Sequence, residues 1–289
     1  MKLLGAIEAG GTKFVCAVYT EDLTKVQDIS IATTSPSVTM SEVFNFFDDY
    51  ELSSIGIGSF GPIDVNTSSA TYGYITSTPK TEWKNFNLLG QIKDRYNIPV
   101  AWTTDVNAST YGEYTYGAAA DKKSCLYLTV GTGIGGGSVL EGKILNGFNH
   151  PEMGHLYVRR HAEDHYEGNC VFHKDCLEGL AAGPAIEKRY NRKAERLDTE
   201  HEVWGIQANY LAQAILAYTL VLSPEIIILG GGVMKQKQLY PLIREEFKKI
   251  HNNYLALPPM EEYIVAPELQ DEQGIIGCAL LAKELLSTV

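Results

Sequence analysis

The chain has 289 residues, 45% of them hydrophobic, enough for a substantial core and, by length, two domains of ordinary size. Its 24 basic and 35 acidic residues leave a formal charge of -11, which repels a phosphate backbone, and no Lys/Arg stripe with interleaved aromatics offsets it, so nucleic acid is not expected as a partner. The opening MKLLGAIEAGG is interrupted by Glu8 and a glycine pair before a signal-peptide core or membrane span is complete, so no membrane is expected and a cytoplasmic location follows.

Leu3 to Ile7 reads as a strand, Glu8 to Lys13 as a turn and Phe14 to Tyr19 as a second strand. Thr39 and Glu42 form a T-x-x-E capping box, predicting a helix over Thr39 to Asp49, and Ser54 to Phe60 reads as a strand ending in Gly-Pro. A helix over Phe86 to Tyr96, a strand over Ile98 to Thr103 and a helix over Val106 to Ala119 follow. Then the opening pattern returns: a strand over Cys125 to Val130, a glycine turn over Gly131 to Gly137, and a strand from Ser138 to Leu140, a weak internal repeat. Helices are expected over Glu178 to Tyr190, His201 to Leu222, Gln238 to His251 and Gln273 to Leu286, with a short apolar strand from Glu225 to Leu229 that stops at Gly230-Gly231-Gly232. Strands alternating with helices indicate an α/β architecture with largely parallel sheets, and two similar halves meeting near Gly117 imply a cleft.

Three glycine-rich turns each follow an apolar strand: Gly10-Gly11-Thr12, Gly131 to Gly137, and Gly230 to Gly232. Backbone approaches a phosphate closely only where side chains are absent, and a neighbouring Thr or Lys adds a donor or a charge. None of the three is a Walker A loop or a dinucleotide-binding turn leading into a helix. Asp105, between the strand and helix on either side of it, reads either as a helix N-cap or as a base taking the proton of a hydroxyl that attacks a γ-phosphate.

Five cysteines, an odd number, do not make a disulfide framework, and Cys16, Cys125 and Cys278 sit in apolar runs as small buried hydrophobes. Cys170, His173 and Cys176 differ: their C-x2-H-x2-C spacing lets two thiolates and an imidazole converge on one tetrahedral Zn2+, with a fourth ligand from an upstream histidine. Such a closed site leaves no position for a catalytic water, so the metal is expected to be structural. H-E-x-x-H is absent, against a zinc peptidase. His150, His161 and His165 are expected to be surface or loop residues. Glu152 and Glu178 lie close in sequence to proposed ligands, so folding around zinc aims both carboxylates toward the cleft.

Together, Ile7 to Lys13, Thr104 to Ala108, Val130 to Gly137, Glu152-Met153-Gly154-His155 and Cys176 to Gly179 occur in the order of the ROK-family sugar kinases, and the chain resembles that family over essentially its whole length. The C-x2-H-x2-C knuckle, with Glu8 where many members have Asp, resembles the bacterial zinc-containing fructokinase branch. The resemblance implies an actin/hexokinase-like fold of two RNase H-like lobes around a cleft, 1–117 and 118–272, with a zinc-binding insertion at about 142–177 and a closing helix at about 273–289 packed back on the first lobe. It implies ATP held at Gly10, Gly11, Thr12, Lys13, Gly131, Thr132 and Gly133, with Gly183, Pro184, Gly231, Gly232, Val233 and Met234 on the adenosine side and Glu8 reaching Mg2+ through water. Asp105 is then the general base. Thr104, Asp105, Glu152, His155 and Glu178 contact the sugar, and His155 also completes the zinc ligands Cys170, His173 and Cys176. The implied activity is ATP-dependent 6-phosphorylation of D-fructose by a homodimer. Thr104, where glucokinase-type members have Asn, argues against glucose; another hexose or a sugar-responsive ROK regulator are the alternatives, the regulator disfavoured because Glu8 lies too near Met1 for a preceding helix-turn-helix.

Overall fold

The computed structural model describes residues 2–287, so Met1, Thr288 and Val289, including the expected end of the closing helix, lie outside the described residues. In chain order the elements are β1 (Leu3–Ala9), β2 (Lys13–Thr20), β3 (Lys25–Ala32), α1 (Pro36–Phe47), β4 (Leu52–Ser59), β5 (Tyr74–Ile75), β6 (Phe86–Asn87), α2 (Leu88–Tyr96), β7 (Val100–Thr104) and α3 (Asp105–Tyr116). There follow β8 (Ser124–Val130), β9 (Ile134–Leu140), β10 (Lys143–Ile144), α4 (Leu177–Ala181), α5 (Gly183–Tyr190), α6 (Val203–Leu222), β11 (Ile227–Gly230), α7 (Leu239–His251), α8 (Met260–Tyr263), β12 (Ile264–Val265) and α9 (Gln273–Ser287). Two compact units result: Met1–Gly117 with Ile144–Pro151 and Leu269–Val289, and Ala118–Lys143 with Glu152–Glu268. The run Ile144–Pro151, read from sequence as part of an insertion in the second half, belongs to the first unit.

In the first unit the sheet order is β3-β2-β1-β4-β7, with β1, β2 and β3 antiparallel and β4 and β7 parallel to β1. Strand alternation sends Ile7, Ala9, Cys16 and Ile57 into a core with Met40, Val43 and Phe47 of α1 and Leu89 and Ile92 of α2. It sends Leu4, Ala6, Ala17 and Tyr19 to the opposite face, against Ala108 of α3 and Ile275, Cys278, Ala279 and Ala282 of α9. Both faces are covered, which is why β1 and β4 are buried almost throughout. Glu8 falls on the α9 face by the same alternation.

The second unit repeats the order: β10-β9-β8-β11-β12, with β8 and β9 antiparallel and β11 parallel to β8 and to β12. Equal strand order in two sheets bears out the repeat seen in the sequence. Among the described residues no helix is long and apolar enough to cross a membrane.

Local expectations needed correction in four places. Helix α1 begins at Pro36 after Ser35, and Thr39, inside the first turn, forms no capping box; its hydroxyl accepts the Thr34 N–H at 3.0 Å and donates to the Ala32 carbonyl at 3.1 Å. The segment Glu178 to Tyr190 is two helices, because Ala182 is extended before Gly183-Pro184 starts the second. Phe86-Asn87 pairs as a strand, and Asn87 caps α2 through a bond from the Gly90 N–H at 2.8 Å. Strand β3 escaped sequence reading because only Ile31 and its pairing to β2 tie it down; most of its residues are exposed.

Helix α9 is seated by contacts too close for any side chain. A Cβ at Gly277 would lie 1.8 Å from the Ala108 carbonyl oxygen, and one at Gly56 1.9 Å from that of Cys278. Substituting Gly277→Ala should therefore destabilise the protein by roughly 1–3 kcal/mol or more, read as a lower midpoint in urea. An unchanged midpoint would show that α9 is free to shift away.

Candidate functional site

The C-terminal ends of the parallel strands of the first unit carry its polar chemistry. Asp105 is the first residue of α3, but the N-cap is Thr104, whose hydroxyl accepts the Asn107 N–H at 3.1 Å. The capping reading of Asp105 is thus corrected. The Asp105 carboxylate accepts the N–H of its neighbour Val106 at 2.8 Å, and burial raises its affinity for a proton above the ordinary carboxylate range. Thr104 itself is buried. Glu8, on β1 with β4 between it and β7, is held up to about 7, by burial first and then by the charges of Asp105 and Asp271, with Lys13 opposing. Asp271 reaches this neighbourhood from the turn before α9, a contact that no local sequence pattern signals.

Gly10 to Lys13 make the tight turn between β1 and β2: Gly10 N–H donates to the Lys13 carbonyl at 3.0 Å, and a Cβ at Gly10 would lie 2.7 Å from that oxygen. Thr33 pins the turn from β3's end, its hydroxyl donating to the Gly10 carbonyl at 2.8 Å and its N–H to that of Thr12 at 3.0 Å. Thr12 and Lys13 stay exposed at the tip.

His150 lies in a loop, one of the two expectations, but not at the surface. It is buried, its Nε2 accepts the Ile63 N–H at 3.1 Å, and Asn149 beside it accepts from Val65 at 3.2 Å and donates to the Ile63 carbonyl at 3.0 Å. Accepting an N–H requires the neutral ring, and burial lowers the affinity of His150 for a proton, against the attraction of Asp105 and Asp64. The imidazole thereby fixes the loop after β4. His161 accepts the Glu163 N–H through Nδ1, and His165 is exposed.

In the second unit the predicted nucleotide segments come together. Gly183 N–H donates to the Gly131 carbonyl at 2.8 Å, and Cβ atoms at Gly131 and Gly183 would lie 3.8 Å from the Gly232 nitrogen and 3.7 Å from Val233 Cγ2. Gly231 has φ +91°, and a Cβ there would strike Val130 at 2.5 Å, so this turn needs glycine twice over. Thr132 and Gly232 face solvent, Gly131, Gly133 and Pro184 are half-buried, and Val233 and Met234 are buried. Glu178, from α4, accepts the Ile134 N–H at 3.0 Å through Oε2, in space left because Gly133 has no side chain: a Cβ there would lie 2.7 Å from that oxygen. Glu152 is exposed just before the turn that carries His155.

The metal-capable cluster also closes. One donor atom each from His155, Cys170, His173 and Cys176 lies within 4.8 Å of the other three. His155 Nδ1 is 3.5 Å from Cys176 Sγ and 3.6 Å from Cys170 Sγ, and His173 Nδ1 is 3.7 Å from Cys170 Sγ. Ligands about 2.0–2.3 Å from one tetrahedral ion stand about 3.6 Å apart, so the donor set fits a single ion of that geometry. The loop is built for closeness: Cys170 and Lys174 exchange backbone bonds at 3.1 and 3.0 Å, Asn169 N–H donates to Gly179 at 2.9 Å, and a Cβ at Gly179 would lie 1.8 Å from the Lys174 carbonyl oxygen. Asp164 anchors its far side, paired with Arg189 at 3.0 and 2.8 Å and receiving the Tyr210 hydroxyl at 2.6 Å.

The family model described as "ROK family" matches residues 4–285. A fructokinase of Pediococcus pentosaceus is 48% identical over 284 residues, 98% of this chain and 99% of that protein. A fructokinase of Lactococcus lactis subsp. cremoris is 48% identical over 286 residues, 98% of both. Among solved structures, a ROK hexokinase from Thermus thermophilus superposes with a TM-score of 0.80 at 24% identity, covering 99% of this chain and 100% of that one. The fold is thus the actin/hexokinase-like one.

The raised carboxyl of Glu8 has a consequence for the protein without ligands. A folded value of about 7 against 4.5 for the ordinary group means that the folded state holds the proton more tightly. That contribution is complete below pH 4.5 and is lost as pH rises through about 7. Glu8→Gln does not ionise, so its stability in urea relative to wild type should increase between pH 4.5 and 8 by up to about 3 kcal/mol. A difference independent of pH would place Glu8 in solvent.

Proposed function

The chain belongs to the ROK family, and from that premise we propose that it is an ATP-dependent fructokinase, a phosphotransferase that moves the γ-phosphoryl group of ATP to the 6-hydroxyl of D-fructose. The observation that carries this reading is the near-full-length identity of 48% to fructokinases, in a chain that keeps a proton-seeking carboxylate, Asp105, at a strand end. Asp105 takes the proton of the 6-hydroxyl as its oxygen attacks the γ-phosphorus, and its burial suits it to hold that proton near neutral pH. Backbone N–H groups of the turns at Gly10-Gly11-Thr12-Lys13 and Gly131-Thr132-Gly133 cradle the phosphates, with the Lys13 ammonium adding charge. Gly183-Pro184 and Gly231 to Met234 form the adenosine side.

On the sugar, Thr104, Glu152, His155 and Glu178 join Asp105 in recognition. The Thr104 hydroxyl accepts the Asn107 N–H in the helix cap, which leaves its O–H free to donate to a sugar oxygen. Glu8 would hold a Mg2+ that enters with ATP through its bound water, and that ion would supply charge stabilisation to the transferred group. The ion fitting the Cys/His cluster is Zn2+: two soft thiolates and two imidazoles are its preferred structural ligands, and no donor position is left for chemistry. His155 is bound through Nδ1 in that arrangement, which turns Nε2 to the sugar. The protein works in the cytoplasm, and the exposed apolar Tyr157, Val171 and Phe172 beside the knuckle suit a homodimer.

Two measurements test this. In a coupled ADP-release assay over fructose, mannose, glucose, glucosamine and N-acetylmannosamine, fructose should give the highest kcat/KM, and Asp105→Asn should lower kcat about 100- to 10,000-fold with sugar and ATP binding nearly intact. No turnover on any sugar removes the assignment, and wild-type turnover by the variant removes the base. Stripping zinc with a chelator should lower Tm and activity together, both returning with zinc; loss of activity at unchanged Tm would put the metal in the chemistry.

A further inference from the structure

Gly274 is the second residue of α9, and what crowds it sets it apart from the other glycine of that helix, Gly277. A Cβ at Gly274 would lie 2.4 Å from Glu8 Cδ, 2.4 Å from Oε1 and 2.9 Å from Oε2. All three nearest atoms belong to one carboxylate. At Gly277 the obstacle is the Ala108 carbonyl, 1.8 Å away, so the fold requires glycine there. At Gly274 the obstacle is the far end of a flexible side chain, and its φ is not in the left-handed region, so neither packing nor backbone demands glycine. What a methyl group would displace is the carboxylate itself.

Glu8 points into this space because strand alternation places it with Leu4 and Ala6 on the face that α9 covers. A methyl group at Gly274 would turn the carboxylate out of this position and change its separation from Asp105 and Asp271, whose charges, after burial, raise its affinity for a proton. We propose that Gly274 is a positioning residue whose missing side chain is the seat of the Glu8 carboxylate, so that residues 8 and 274 are coupled in size: glutamate at 8 requires glycine at 274. An aspartate at 8, shorter by one methylene, would leave the seat empty and tolerate alanine opposite. This rests on the reading of Glu8 as part of the phosphate and Mg2+ machinery only for its kinetic consequence.

The test is a double-substitution cycle with two readouts. In the protein without sugar or nucleotide, the carboxyl 13C resonance of Glu8, identified by its loss in Glu8→Gln, should titrate near pH 7, and its midpoint should move in Gly274→Ala while Tm stays close to wild type. A midpoint that does not move overturns the proposal. In turnover, Gly274→Ala should lower kcat/KM for ATP about tenfold or more with Glu8 present but less than about twofold in the Glu8→Asp background; the same factor in both backgrounds overturns it. If Gly274→Ala does not fold, the double variant decides, recovery of the fold supporting the coupling and continued misfolding refuting it. Wild-type turnover by Glu8→Gln would sink the functional reading of Glu8, while the titration would still settle what Gly274 does.

Discussion

The first unit depends on one steric constraint: a helix, α9, lies so close to a strand and a second helix that glycines must form the contact. Gly56 and Gly58 of β4, Gly112 of α3 and Gly277 of α9 each leave less than 3.0 Å for a would-be side-chain atom. Burial without side chains brings little hydrophobic area per residue, so this is not where most of the stability comes from; that lies in the aromatic and aliphatic core on the opposite face, around Phe14, Phe47 and Trp83. What the close approach supplies is position. Cys278 Sγ lies 3.2 Å from the Ile7 carbonyl, and a side-chain atom at Gly58 would lie 3.3 Å from Asp105 Cα, so β1, β4 and the start of α3 are held at spacings that leave no slack.

The second unit solves a different problem. Its loop from Leu156 to Cys176 has little regular structure and few apolar side chains to bury, so hydrophobic packing alone would hold it weakly. Three kinds of bond replace it: a four-donor cluster, a nearly buried Asp164–Arg189 pair and a web of backbone bonds onto α4. Charge burial of this sort is costly unless partners are met; Asp164 meets Arg189 twice, the Tyr210 hydroxyl and the Tyr166 N–H, while Arg189 also donates to the Leu180 carbonyl and keeps a buried Nη1 without a partner. Since α4 begins directly after Cys176 and carries Glu178, whatever fixes the cluster also fixes a carboxylate on the second glycine turn.

What the sequence disclosed follows the range of the forces involved. The glycine turns, the C-x2-H-x2-C knuckle and the strand-end Asp105 are encoded within a few residues, and each is where local spacing puts it. The repeat was legible because both sheets begin with the same hairpin. Contacts made by chain return were not: Asp271 and Gly274 reach Glu8 across more than 250 positions, and His150, in a polar stretch resembling a surface loop, is buried through its bond to Ile63. Strand β3 went unread because a largely exposed edge strand carries no alternation. Thr39 mimicked a capping box while serving Thr34 and Ala32 instead.

The cap of α3 bears on what the protein must withstand in each reaction cycle. Thr104 is neutral at every pH a cell reaches, and it is Thr104 that fastens the Asn107 N–H at the helix start. Had Asp105 held that place, each proton it gained would have weakened the acceptor anchoring its own helix, and the backbone would have loosened at the moment the oxygen and phosphorus need fixed separation. In the role proposed above for Asp105, fastening and proton transfer fall on adjacent residues, and the carboxylate would change charge while Thr104 keeps its hold on the helix start.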